Sequence, residues 1–351
     1  MKKVLVDLKV LGGNPYNGLY NYCYQLGKNM LQLHDKNFQL YYYLPSKVFG
    51  LFGNDVQYVA QHSLDKFYRF GTAKYDLWHD TTHISRYRPF NNKTIFVYTI
   101  HDLNFLLEQP ERVSTNKQKL KYIQQSVNRA QHITFVSDFA KRQAYEYLDI
   151  SSKPFSIIYP GCSLINEPVD AVSPKYVPAK PFLFTIGLIQ RRKNFHTLMP
   201  LLEGNDYELI IAGLDNADYK PTIIEAAKKY GVESRVIFAG PVTEQEKVWY
   251  YQHCDAFLFP SFAEGFGIPL VEAMYYGKPV FISKATSLPE VGGDIAYYFD
   301  SFEPETMKQN FTDGMKDYQL RQPVEKIKQR AALFSYSKTA QSYLDLYKKL
   351  L

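Results

Sequence analysis

Between residues 181 and 300 one pattern recurs: a short apolar run, a glycine or proline, then a stretch of helical periodicity. The apolar runs are PFLFTIG, YELIIAG, RVIFAG, AFLFP and KPVFIS. The stretches between them are NFHTLMPLL, YKPTIIEAAKKY, TEQEKVWYYQH and IPLVEAMYYG. Short apolar runs bounded by turn formers suit strands buried on both faces, as in a parallel sheet covered by helices. The repetition predicts a doubly wound α/β unit, and such sheets bind ligands beyond the C-terminal ends of their strands.

The first half alternates in the same way, with KKVLVDL, FQLYYYL, YDLWH, TIFVYTI and HITFVS as strand candidates. GLYNYCYQLGKNMLQL carries Leu19, Cys23, Leu26, Met30 and Leu33 on one helical face. A chain of 351 residues exceeds the usual limit of a single core, so two domains are expected. The stretch NEPVDAVSPKYVPAKP, punctuated by Pro168, Pro174, Pro178 and Pro181, reads as the linker. The expected division is residues 1–166, a linker over 167–181, a second domain over 182–334 and a terminal helix over 335–351. That helix has Ala340, Tyr343, Leu344 and Tyr347 on one side and can pack on either domain.

Composition narrows the function classes. Cys23, Cys162 and Cys254 are odd in number and far apart, which excludes a disulfide framework or a cysteine-rich zinc site and points to a reducing, cytoplasmic setting. The N-terminal apolar run is broken by Asp7 and Lys9, so it reads as a strand and not as a signal peptide. The net charge of +6 sits wholly in residues 1–170, with 20 basic against 14 acidic residues, while residues 171–351 carry 21 of each. A basic half can face an anionic small molecule or a membrane's anionic headgroups, or be a solvated surface. No nucleic-acid module accompanies it, so nucleic acid is not expected as a partner.

Three segments after strand candidates carry chemistry. In TIGLIQRRKNFHTL, Gly187 permits a close turn and Arg191, Arg192 and Lys193 precede a predicted helix, which suits a diphosphate; the alternative is a solvated basic turn. In FLFPSFAEGFGIPLVEAMYYGKPVFIS, Glu264 precedes Gly265-Phe266-Gly267, Pro269 fits a first helical turn, and Glu272 follows within the helix. The two acids can accept hydrogen bonds from sugar and ribose hydroxyls; the alternative is a dipole role for Glu272 and an exposed Glu264. In SLPEVGG, Glu290 and the backbone at Ser287 and Leu288 can border the same pocket, with helix capping a competing role for Ser287. The N-terminal turn VLGGNPYNG holds Gly12, Gly13 and Gly18, but neither dinucleotide-fingerprint nor P-loop spacing.

Glu264-Gly265-Phe266-Gly267-Ile268-Pro269-Leu270-Val271-Glu272, with two glutamates separated by seven residues, closely resembles the signature of the family 4 retaining glycosyltransferases. The flanks PSFA and AMYYGKPV extend the match, and Gly187 with Arg192-Lys193-Asn194 resembles that family's diphosphate turn. His101-Asp102, Ser137 before a helix, and Tyr159-Pro160-Gly161 match further positions. The resemblance covers nearly the whole chain and is nearest to bacterial mannosyltransferase members.

It implies a GT-B fold, α/β with two facing Rossmann-like domains, an interdomain cleft and transfer of a hexose from a nucleoside-diphosphate sugar with retention. Glu272 would receive the ribose, Arg192 and Lys193 the diphosphate, and Glu264 with the N–H groups of Phe266, Gly267 and Ile268 the sugar ring. His101 would contact a sugar hydroxyl. Gly12, Gly13, Leu288 and Glu290 would complete the donor site, and Asn17, Asp102 and Ser137 would face the acceptor, a glycan or lipid-linked glycan. Four residues, Asn14 to Asn17, stand in the first loop where many relatives are shorter. No D-x-D sequence occurs, and the cationic pair can supply a metal's charge, so neither metal nor cofactor is expected. Mannose from GDP-mannose is the expected donor sugar. UDP-glucose, UDP-N-acetylglucosamine and a non-catalytic sugar-nucleotide-binding protein are the alternatives. Peripheral contact with the cytoplasmic face of a membrane stays open, although KQKLKYIQQSVNRAQ is basic and only modestly apolar.

Overall fold

A computed structural model describes residues 1–62, 74–85, 87–89, 91–162, 172–215 and 218–351. The chain divides into two compact units, Met1–Gly161 with Ser335–Leu351, and Cys162–Phe334. Residues 167–171 of the expected linker, Pro168 among them, lie outside the described residues, and 172–181 form neither helix nor strand. The division falls at Gly161, ahead of the expected residue 166. A Cβ at Gly161 would stand 2.0 Å from the Tyr336 backbone nitrogen, so only glycine lets the returning chain pass there.

In the first unit the strands are β1 (Lys3–Asp7), β2 (Gln39–Leu44), β3 (Gln57–Ala60), β4 (Leu77–Asp80), β5 (Ile95–Ile100), β6 (His132–Phe135) and β7 (Phe155–Ile157). They form a parallel sheet in the order β3-β2-β1-β4-β5-β6-β7. Helices α1 (Gly18–Leu33), α2 (Phe105–Glu108), α3 (Val113–Arg129) and α4 (Asp138–Tyr147) connect strands. Asn17 and Ser137 cap α1 and α4, accepting from the backbone nitrogens of Leu19 and Ala140.

The second unit has β8 (Phe182–Ile186), β9 (Glu208–Ala212), β10 (Val236–Gly240), β11 (Ala256–Phe259), β12 (Val280–Ser283) and β13 (Tyr297–Phe299), parallel in the order β10-β9-β8-β11-β12-β13. Its helices are α5 (Lys220–Lys229), α6 (Glu244–His253), α7 (Ile268–Tyr275), α8 (Leu288–Gly292), α9 (Pro304–Arg321) and α10 (Val324–Ala331). The segment NFHTLMPLL departs from the expected α-helix: Phe195–Leu202 is a 3-10 helix with Pro200 inside it. Proline lacks the N–H that an i to i−4 ladder needs.

The terminal helix α11 (Tyr336–Leu350) completes the core of the first unit. Tyr336, Ala340, Tyr343, Leu344 and Tyr347 are buried with Tyr22, Leu26 and Met30 of α1. A polar seam runs through this apolar contact. Tyr343 lies 3.1 Å from the Tyr22 hydroxyl, and the Tyr347 hydroxyl is 2.5 Å from His79 Nδ1.

Both sheets share one topology. Strand order reverses between β1 and β4 in the first unit and between β8 and β11 in the second. Doubly wound sheets bind ligands beyond the strand ends at such a reversal.

Candidate donor site at the switch point of the second sheet

The loop after β8 opens at Gly187. A Cβ at this position would come within 2.9 Å of Lys193 Cε, so the absent side chain is what lets Lys193 fold back over the strand end. Arg191–Lys193 form one 3-10 turn that ends on Asn194 in the left-handed conformation, with φ 59°. Asparagine tolerates that region better than most residues, and the turn aims Lys193 inward. Its ammonium is buried, 4.6 Å from the centre of the Phe259 ring.

The loop after β11 meets it. The Phe262 N–H donates to the Arg192 carbonyl at 2.9 Å, and Arg192 Nη1 donates to the Ala263 carbonyl at 2.9 Å. Lys193 Nζ donates to Glu264 Oε1 at 2.6 Å, with Arg192 Nη1 3.5 Å from Glu264 Oε2. Glu264 is therefore buried and ion-paired, not exposed. Burial favours its neutral form, but Lys193 and then Arg192 outweigh that and hold the carboxyl below its ordinary value. The trio keeps one net positive charge.

A third loop, after β12, secures the second. Thr286 Oγ1 accepts from the Glu264 N–H at 3.0 Å, and Ser287 Oγ donates to the Glu264 carbonyl at 2.9 Å. Ser287 stands at the start of α8 yet makes no side-chain cap; its hydroxyl ties two loops together instead. Leu288 is buried, and a Cβ on Gly267 would come within 2.8 Å of its Cδ2. Gly267 has φ 100°, which glycine adopts without strain, and it starts α7 with Pro269 in the first turn. The Phe266 ring packs edge-on to Phe334 at 5.4 Å, so the donor role expected of Phe266 rests on its backbone. Ile268 is the first residue of α7. Glu290 lies half-buried on α8, and its carbonyl accepts from Arg330 at 2.5 Å.

Glu272 is buried and doubly engaged. Oε1 accepts from Lys247 Nζ at 2.7 Å and Oε2 from the Tyr251 hydroxyl at 2.9 Å. Lys247 and Tyr251 both come from α6, whose sequence reading was only that of a polar helix. They stand one helical turn apart on one face, the one signal that could have marked them together. Burial works against the Lys247 ammonium, but Glu272 and Glu244, at 2.7 and 2.9 Å, outweigh it and raise its pKa. Burial, with Glu244 adding to it, raises the Glu272 carboxyl above its ordinary value against the opposing pull of Lys247 and Tyr251; the 2.7 Å contact with the ammonium is what favours its carboxylate form.

The remaining expected residues belong to the first unit. His101 follows β5, is buried, and places Nε2 2.9 Å from the Thr81 carbonyl, which fixes the proton on that nitrogen. Burial, with His83 nearby, lowers its pKa to about 4, so the ring is neutral near pH 7. Tyr22 meets it edge-on at 4.7 Å. Asp102 Oδ1 accepts from the Asn104 N–H at 2.9 Å. Gly12 ends a 3-10 turn under Pro45, and Gly13 donates its N–H to the Val10 carbonyl at 2.9 Å. Asn17 and Ser137 serve as the helix caps described above. Sequence reasoning passed over Asp7 and Asp80, which close β1 and β4 side by side and are buried. Among the described residues no group of three or more His, Cys, Asp or Glu could hold a metal ion, and no helix is long and apolar enough to cross a membrane.

Comparison with known proteins agrees with this architecture. Residues 171–331 match the family model of the group 1 glycosyl transferases. The serotype-specific mannosyltransferase WbdA of Escherichia coli is 28% identical over 276 residues, covering 74% of this chain and 34% of WbdA. The chain thus spans about a third of the length of that relative. O-antigen chain mannosyltransferase B of E. coli is 25% identical over 72% of this chain and 70% of its own length. Among solved structures, the sucrose-phosphate synthase of Thermosynechococcus elongatus superposes with a TM-score of 0.76 at 16% identity, covering 100% of this chain and 99% of that one. Anabaena HepE in complex with UDP-glucose superposes with a TM-score of 0.73 at 19% identity, covering 100% of both. The chain has the GT-B fold of these structures, and over residues 171–331 it is similar to the group 1 glycosyl transferases, bacterial mannosyltransferases among its relatives.

Proposed function

We propose that the chain transfers a hexose, mannose by preference, from a nucleoside-diphosphate sugar to a hydroxyl of a glycan or lipid-linked glycan, with retention of configuration. The observation that carries this reading is the 2.6 Å contact of Lys193 with Glu264, which joins the loops after β8 and β11 at the switch point of the second sheet. Support for the sugar comes from the mannosyltransferase names of the relatives. Support for the donor class comes from HepE, solved with UDP-glucose.

On this reading the net positive charge of Arg192, Lys193 and Glu264 attracts the diphosphate. Lys193 offers a point charge and Arg192 a planar fork. As the anomeric C–O bond breaks, its electron pair passes to the diphosphate, where both cations stabilise the developing charge. The acceptor hydroxyl forms the new C–O bond and gives its proton to the departing phosphate oxygen, so no protein nucleophile is consumed. Glu264, held ionised by its two partners, accepts hydrogen bonds from sugar hydroxyls, and Glu272 accepts them from the ribose.

Turnover of GDP-mannose, UDP-glucose and UDP-N-acetylglucosamine with lipid-linked and free glycan acceptors, read as nucleoside diphosphate released and product anomer formed, tests the proposal. Lys193→Ala is expected to lower turnover by about 10²–10³-fold. A folded variant with unchanged turnover would remove the diphosphate role, and an inverted product would remove the retaining mechanism.

A further inference from the structure

We infer that Lys247 and Tyr251 are positioning residues that make Glu272 a two-pronged acceptor for a vicinal diol, so that donor affinity depends on both ribose hydroxyls through α6. The inference rests on the ribose role proposed for Glu272 and adds the machinery that would set its geometry.

An ionised carboxylate offers about four lone-pair positions. At Glu272 one position on each oxygen is taken, Oε1 by Lys247 at 2.7 Å and Oε2 by the Tyr251 hydroxyl at 2.9 Å. Two donors on two different oxygens fix the carboxylate plane and leave one position per oxygen. That remainder matches two neighbouring hydroxyls, whose oxygens are spaced to meet the two oxygens of one carboxylate. A carboxylate held by one donor alone would turn about its terminal bond and present no such pair.

The clamp is itself held. Tyr251 also lies 3.2 Å from the Pro269 carbonyl, which ties its hydroxyl to the first turn of α7. Lys247 is held a second time by Glu244 at 2.9 Å. Glu244 is the first residue of α6, where Thr243 and Glu246 form a reciprocal capping box that fixes the helix start. Lys247 and Tyr251 are four residues apart and so share a helical face. Cys162, Cys254, Tyr276 and Glu244 are the other titratable groups facing the pair among the described residues.

Stability alone does not account for this arrangement. Burying two charges is expensive, and apolar residues of similar volume are often as stable or more so. A buried ion pair that leaves one acceptor position open on each oxygen is a poor core and a good receptor. Donor hydrogen bonds to a charged group are stronger than neutral ones, so loss of two should be visible in affinity.

The test uses the whole chain titrated with UDP and with GDP, the tighter being compared with its 2′,3′-dideoxy analogue. Wild type is expected to prefer the ribose form by about 10–100-fold. Glu272→Gln, Lys247→Met and Tyr251→Phe are expected to bring that ratio down, toward about 3-fold for the first two, with dideoxy affinity little changed; Lys247→Arg should recover part of it. If wild type or Glu272→Gln shows that the ratio does not depend on Glu272, the ribose reading falls and this inference with it. If Glu272→Gln abolishes the ratio while folded Lys247→Met and Tyr251→Phe keep it, the ribose reading stands and the positioning role is wrong. Should Lys247→Met fail to fold, Tyr251→Phe and Lys247→Arg decide the matter. A purely structural role would lower the melting temperature and leave the ratio at its wild-type value.

Discussion

The two sheets reverse strand order in the same way but treat acid at the reversal differently. In the second unit the two buried glutamates of the site sit against ammonium groups, Glu264 against Lys193 at 2.6 Å and Glu272 against Lys247 at 2.7 Å. In the first unit Asp7 and Asp80 end the adjoining strands β1 and β4 in register, both buried, with no such partner in hydrogen-bond contact among the described residues. Asp7 accepts from the Lys9 N–H and the Ser85 hydroxyl, each a neutral donor. Asp80 accepts from the Thr82 N–H on one oxygen, and its Oδ2 has no hydrogen-bond donor among the described residues. Burial consequently raises both carboxyls, Asp7 to about 6. One fold therefore builds an ionised edge paired with ammonium groups and an edge whose acids take up protons more readily, and the difference lies in side chains rather than topology.

The contrast breaks most sharply if charge is removed from each edge in turn. Glu264→Ala strands the Lys193 ammonium in a buried site, and breaking such a pair costs about 3–5 kcal/mol. The two tryptophans make the comparison local, since Trp78 lies in the first unit and Trp249 in the second. Urea unfolding followed by Trp249 fluorescence should shift to lower denaturant while the Trp78 transition stays in place. A Glu264→Ala chain as stable as wild type would mean that Lys193 finds water or another partner, and the ionised edge would lose its meaning.

At the edge of the first unit the same kind of change should act in the opposite sense. A carboxyl raised from 3.8 in the unfolded chain to about 6 in the fold favours the folded state when protonated. That stability is fully present below about pH 4 and is lost as pH rises through 6, a loss of about 3 kcal/mol for Asp7. Asp7→Asn keeps an acceptor for the Lys9 N–H and removes the titration. The Trp78 transition, compared at pH 4.5 and pH 7.5, should fall in wild type and stay nearly level in Asp7→Asn. An equal fall in both would show that the Asp7 carboxyl is not raised in the fold.

How much of this was legible in sequence follows from what each feature depends on. Strand-length apolar runs and glycine punctuation are local, so the parallel strands of both sheets and helices such as α1 and α7 could be read directly. The meeting of Arg192 and Lys193 with Glu264 could be anticipated because doubly wound sheets bring the loops after their strands to one edge. What escaped depends on pairing across elements. Lys247 and Tyr251 lie in a helix whose composition is that of any polar surface helix, and only the packing of α6 beside α7 turns them toward Glu272. Asp7 and Asp80 are 73 residues apart, and only the register of β1 on β4 sets them side by side. Pro200 was visible but underweighted against the apolar periodicity of NFHTLMPLL.

The smallest effect probes a neutral buried group deeper in the first unit. Burial lowers the His79 pKa to about 3, so its ring is neutral, with Nε2 2.8 Å from Thr99 Oγ1 and Nδ1 2.5 Å from the Tyr347 hydroxyl. Tyr347 belongs to α11, the segment that returns to this unit from the far end of the chain. Tyr347→Phe keeps the ring and its packing but leaves one buried imidazole nitrogen without a partner, at a cost of about 1–3 kcal/mol. The Trp78 transition should move by that amount and the Trp249 transition should not. Because the stranded group is uncharged, the loss should be the same at pH 5 and pH 8. A loss that grows toward acid pH would mean instead that His79 takes up a proton in the fold, and that the first unit tolerates buried charge as the second does.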